Sequence, residues 1–134
     1  MLGPLYWNEP LSRRVESLVG SSHEIPAVSL LAEVELISAL AKRRRAGDLS
    51  LADARRIARE FESHLEEGVY RRLPVEAEHF VRARDLIGRF ETALRALDGL
   101  HVCIAAAQGL QLVTADRALA RAAKTLGFDC LYLR

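Results

Sequence analysis

The sequence predicts an α/β fold, a three-layer α/β/α sandwich around a mainly parallel sheet, and three observations predict it. Half of the 134 residues are hydrophobic and the net charge is only +1, a balance that excludes disorder and fits one domain of ordinary size. Among the apolar residues 22 Leu and 20 Ala outnumber 9 Val and 5 Ile, so helices should outweigh short strands. Short β-prone runs also alternate with helix-period segments. That order implies right-handed βαβ crossovers and a parallel sheet covered on both faces.

Each element has its own signal. Residues 1–7 open the chain with no strand before them. Leu11, Val15, Leu18 and Val19 form one apolar face of a helix over 10–19, which Gly20-Ser21-Ser22 ends. Residues 24–28 are a short strand candidate. Ser29 then caps a helix over 30–46, and Gly47 stops it. Ser50 with Asp53 makes a capping box in which an acid replaces the usual Glu; its helix runs to Glu67 and stops at Gly68. A strand over 69–73 ends at Pro74, and a helix covers about 76–89. Residues 97–108 form an almost wholly apolar helix ended by Gly109. A buried strand over 110–114, a helix over 116–126 ended by Gly127 and a strand over 128–133 complete the chain.

Several function classes lack support. No apolar run approaches the ~20 residues of a membrane span, and no charged-then-apolar leader is read at the start. Cys103 and Cys130 make neither a disulfide framework nor a zinc set, so a reducing cytoplasm is the expected location. No Walker loop, nucleophile elbow or H-E-x-x-H motif is present.

In open parallel sheets ligands collect at the carboxyl ends of strands, where helix amino ends also point. Three places there carry acids. Asp98 opens the apolar helix; an acid in a first turn also simply favours the helix dipole. Asp116 follows Thr114 at a strand-to-helix turn, where capping is the ordinary role. Glu33 and Glu35 follow Ser29, and their spacing does not separate them. Carboxylates converging at one sheet edge repel unless protonated or bound to cations. Magnesium or manganese suits such an all-oxygen site and can serve phosphodiester hydrolysis.

Three stretches resemble the PIN-domain family, specifically the VapC-type toxin ribonucleases. Val28-Ser29-Leu30-Leu31-Ala32-Glu33-Val34-Glu35-Leu36 resembles its Ser-to-Glu-Leu segment, and this alignment chooses Glu35 over Glu33. Leu94-Arg95-Ala96-Leu97-Asp98-Gly99-Leu100-His101 resembles its L-R-x-x-D-A-L-H helix start, and Leu112-Val113-Thr114-Ala115-Asp116-Arg117-Ala118-Leu119 its later Thr-x-Asp stretch. The resemblance implies a metal-dependent endoribonuclease, the toxin of a type II toxin–antitoxin pair. Glu35, Asp98 and Asp116 would hold Mg2+ or Mn2+, with Ser29, Arg95 and Thr114 as supporting or RNA-contacting residues. RNA would be the substrate, a cognate antitoxin the partner, and a homodimer the assembly. The alternative is an inactive PIN-fold module that binds antitoxin or RNA.

One element of the family pattern is absent. The family opens with a strand ending in D-x-S whose Asp is a metal ligand; in this register that Asp falls about three positions before Met1. The expectation is a single domain over 1–134 lacking its first, central strand, with a natural gene that begins upstream. Four lost core side chains would remove roughly 6–12 kcal/mol, against a typical domain stability of ~5–15 kcal/mol. The chain as written would then be a weak or dead nuclease. Elsewhere, Lys42-Arg43-Arg44-Arg45 with Arg55, Arg56 and Arg59 is either a phosphate track or a solvated helix end. Arg95 either steadies the acids or forms a structural salt bridge. His101 is read as a hydrogen-bonded core histidine, both cysteines as small buried hydrophobes, and Tyr6 and Trp7 as packing or stacking residues.

Overall fold

A computed structural model describes residues 2–6, 12–21 and 24–133. The chain forms two compact units, Leu2–Pro74 and Val75–Arg134.

The first unit holds α1 (Gly3–Tyr6), α2 (Ser12–Ser21), β1 (Ala27–Ser29), α3 (Leu30–Ala46), α4 (Leu51–Glu66) and β2 (Arg71–Leu73). Local chemistry sets the helix ends. The Ser29 side chain accepts the Ala32 N–H, and Gly47 takes a left-handed φ of 83° while donating back to the Arg43 and Arg44 carbonyls. Ser50 accepts the Asp53 N–H, as the sequence predicts. The return arm differs: the Asp53 carboxylate takes the Ser50 hydroxyl at 2.6 Å, because Asp is one methylene shorter than Glu. The α2 helix continues through Gly20 and Ser21, where the sequence predicts its end. Strands β1 and β2 pair in parallel, Val28 opposite Arg72, with α3 and α4 between them in the chain.

Leu36 and Leu40 of α3, Ile57 and Phe61 of α4, and Val28, Tyr6 and Tyr70 form the core of this unit. Phe61 is only 2% exposed and meets the Tyr6 ring edge-on at 5.5 Å. The Tyr6 hydroxyl lies 2.8 Å from His64 Nδ1 and 2.9 Å from the Tyr70 hydroxyl. Burial raises both phenols above their ordinary range, so they stay neutral and hydrogen-bonded. Tyr6 is thus a packing residue; Trp7 lies outside the described residues.

The second unit holds α5 (Ala77–Ile87), α6 (Ala96–Ala107), β3 (Leu112–Thr114), α7 (Arg117–Thr125) and β4 (Cys130–Tyr132). Strands β3 and β4 pair in parallel around α7, with Val113 opposite Leu131. The parallel α/β class predicted from the sequence is therefore observed, as one short strand pair in each unit. The α6 helix buries Leu100, Val102, Cys103 and Ile104, and α7 buries Leu119, Ala122 and Ala123 on one stripe. Gly99 lets α5 approach α6: a Cβ there would sit 3.0 Å from Ile87 Cδ1 and 3.5 Å from Ala83 Cβ. The buried histidine of this unit is His79, whose Nδ1 accepts the Glu76 N–H at 2.9 Å at the start of α5. Cys103 is buried, Cys130 half-buried, and both are free thiols raised by burial. Among the described residues no helix is long and apolar enough to cross a membrane.

Candidate acidic site

Asp98 stands in the first turn of α6, after Arg95 at the cap position. Its half-buried carboxylate accepts a hydrogen bond from the Arg95 backbone N–H, so the helix end positions it. Burial raises its pKa above the usual carboxylate range, and the negative charge of Asp116 raises it further. The His101 and Arg95 charges and the Arg95 N–H act in the opposite direction. His101 is half-buried rather than a core residue, one turn along the helix, and it acts on Asp98 through its charge. The sequence predicts a core residue there because its neighbours are apolar, yet α6 keeps this face only partly covered.

Asp116 sits where β3 passes into α7. Thr114, buried at the end of β3, accepts the Asp116 N–H on Oγ1 at 3.0 Å. Asp116 caps α7: its Oδ1 accepts the Ala118 N–H at 2.7 Å and the Leu119 N–H at 3.0 Å. Both bonds fall on one oxygen, and Oδ2 takes no part in the cap. Asp116 is exposed. The fold therefore brings two carboxylates from two helix amino ends close enough to act on each other, although 18 positions separate Asp98 from Asp116.

The third stretch lies in the other unit. Ser29 is buried and caps α3. Glu33 is engaged by Arg72 in a two-pronged pair, Nε to Oε1 at 2.8 Å and a terminal nitrogen to Oε2 at 2.9 Å, which ties α3 to β2. Glu35, two positions on, is half-buried. Arg72 is the partner that sequence reasoning misses: it lies 39 positions from Glu33, and no local pattern links them. In the basic run Lys42, Arg44 and Arg45 are exposed. On α4, Arg56 pairs with Asp53 at 3.8 Å and Glu60 at 3.6 Å, the pattern of a solvated helix face.

The residues fit a hard divalent cation. Asp98 and Asp116 offer oxygen donors, and the Asp116 charge that raises the Asp98 pKa is what a bound cation would neutralise. Among the described residues no group of three His, Cys, Asp or Glu is placed to hold a metal ion; Asp98 and Asp116 are the two of the expected acids that lie in one unit.

Comparison with known families gives one result: the model of the PIN domain matches residues 5–125. No curated protein matches the chain.

Proposed function

The chain belongs to the PIN-domain family, a nuclease-type α/β fold, and from that premise we propose that it is a metal-dependent endoribonuclease, the toxin of a type II toxin–antitoxin pair. The observation that carries this reading is the Asp98–Asp116 pair, two carboxylates at the amino ends of α6 and α7, each held by backbone amides, with the Asp116 charge raising the Asp98 pKa. Glu35 is proposed as a further metal-binding acid solely on the strength of its place in the family's sequence pattern.

Magnesium or manganese held by these acids would neutralise phosphate charge and supply a water of lowered pKa. The chain's own residues do the rest. Asp116, held through Oδ1 by the Ala118 and Leu119 amides, leaves its other oxygen outside the cap. Arg95, exposed three positions before Asp98, offers a guanidinium to a phosphate of the RNA backbone. Ser29 and Thr114 hold the acid-bearing turns in place. A protein partner, an antitoxin or a second copy of the chain, is supported by the exposed apolar stripe of Leu30, Val34 and Ile37 on α3. Two free cysteines agree with a reducing cytoplasm.

The test is cleavage of labelled single-stranded and hairpin RNA by the chain and its Asp98→Asn variant, with magnesium or manganese present. The expected loss is about 100-fold or more, the scale on which a single group serving the transition state acts. Equal rates for the two chains would overturn the assignment. Binding of RNA without any metal-dependent cleavage would favour the non-catalytic module.

A further inference from the structure

Four glycines, Gly47, Gly68, Gly109 and Gly127, take a left-handed backbone in the described residues, and one other residue shares that conformation: Phe90, with φ of 56°. Glycine adopts this region freely, whereas a residue with a bulky Cβ substituent is strained there. A left-handed cap usually recovers part of that cost by burying an apolar side chain against the helix it ends. Phe90 does not, because it is 88% exposed. Folding therefore gains nothing visible from a phenylalanine at this position, and loses by it on both counts.

The position of Phe90 supplies a reason. Its N–H donates to the Ile87 carbonyl at 3.0 Å, just past the end of α5. The Ile87 side chain faces Gly99 across the close α5–α6 approach, and Gly99 directly follows Asp98. The strained turn thus adjoins the end of α5 that packs on the first turn of α6, which carries Asp98. Exposed Arg89 and Arg95 lie on either side of it in the same connection, and Leu97, also exposed, lies between Arg95 and Asp98. Exposed Glu91 follows Phe90 directly, so the connection carries two guanidiniums and one carboxylate. An aromatic ring held in water on a segment that also carries guanidiniums is what an unpaired nucleobase on a phosphate backbone fits: the ring stacks on the base and the guanidiniums serve the phosphates.

The geometry points to Phe90 as a base-stacking residue for single-stranded RNA next to the Asp98–Asp116 pair. This rests on the ribonuclease reading and adds to it the residue that holds a base, since a base already stacked within a duplex cannot cover the ring. Phe90 positions the strand and does not touch the scissile bond.

The experiment measures affinity for 5′-fluorescein-labelled U12 and A12 oligoribonucleotides in magnesium, on an Asp98→Asn background so that the strands survive. F90A weakens binding by about 5- to 150-fold, the range of one lost base stack. F90L, apolar but without a π face, loses as much, while F90Y and F90W restore affinity. The fluorescence of F90W, measured against its parent, is quenched as RNA is added. F90G relieves the strained backbone, raises the melting temperature by about a few degrees, and still loses the RNA. F80A removes another exposed phenylalanine, on α5, and leaves affinity within about twofold. Affinity unchanged in F90A or F90L, or an equal loss in F80A, overturns the inference and leaves the ribonuclease reading standing. Loss of affinity in F90A together with no metal-dependent cleavage by the Asp98 chain upholds the stacking role and overturns the nuclease. RNA bound by none of the chains overturns both.

Discussion

Two amide hydrogen bonds, from Ala118 and Leu119, converge on one oxygen of Asp116, so the side chain that starts α7 is also the one whose charge raises the Asp98 pKa. The two roles separate by substitution. Asn caps a helix as well as Asp but carries no charge, so Asp116→Asn should melt within about 2 °C of the parent and lose activity. Asp116→Ala should lose activity and also about 0.5–2 kcal/mol of stability, read from denaturant midpoints. With the Asp116 charge removed, the Asp98 pKa should fall toward its ordinary value, which carbonyl NMR titration measures. Asp98 also makes stability depend on pH. Its folded pKa lies above the ordinary 3.8, so folding favours its protonated form. The stabilisation from this group is present below about pH 4 and lost as pH rises through the raised value. Asp98→Asn should therefore melt above its parent at pH 7 by on the order of a few degrees, and the gap should close in acid. Of these details the sequence holds the cap, since Asp116 two positions after Thr114 is a local signal. It holds nothing of the charge on Asp98, which depends on how far α6 is buried and on a helix end 18 positions away.

At the scale of elements, α3 shows how one helix separates two neighbouring acids. Glu33 faces Arg72 on β2 while Glu35 lies on another face of the helix turn, 200° around at 100° per residue. The Glu33–Arg72 pair is partly exposed, so Glu33→Gln should cost no more than about 1 kcal/mol and leave RNA cleavage intact. Glu35→Gln should cut cleavage by about 100-fold with little change in melting temperature; equal effects from the two variants would place the third acid elsewhere. The α4 helix supports α3 through Ile57 and Phe61. Phe61→Ala should cost about 3–5 kcal/mol, seen as a lower denaturant midpoint, because the ring is buried and the cavity only partly collapses. Most element ends were legible because the groups that set them lie within one turn: Ser29 at the start of α3, Gly47 at its end, Gly109 after α6. The end of α2 was not. Gly20 and Ser21 stay helical there although both are exposed, and the Ser21 hydroxyl donates to the Leu18 carbonyl at 3.3 Å, a local bond that lets the last turn continue.

For the whole molecule, the family match over residues 5–125 turns a set of weak local motifs into one expectation, that metal and stability are linked. A cation that binds the folded acids and not the unfolded chain stabilises by mass action. Manganese at about 100 times its dissociation constant should raise the melting temperature by on the order of 10 °C, and Asp98→Asn or Asp116→Asn should abolish the shift. No shift in the parent would remove the metal from the proposed mechanism. The sequence alone determined the α/β class, the order of helices and strands, most of the caps and the family. These depend on residue type and on spacings of one to four positions, which a linear reading contains in full. Only the tertiary structure decided that Asp98 feels Asp116, that Arg72 engages Glu33, that Tyr6 bonds to Tyr70 across 64 positions, and that Phe90 stands strained in water. Each of these depends on a distance or a burial between segments remote in the chain. Such quantities exist only after the backbone has paired its strands and packed its helices, and no local pattern encodes them.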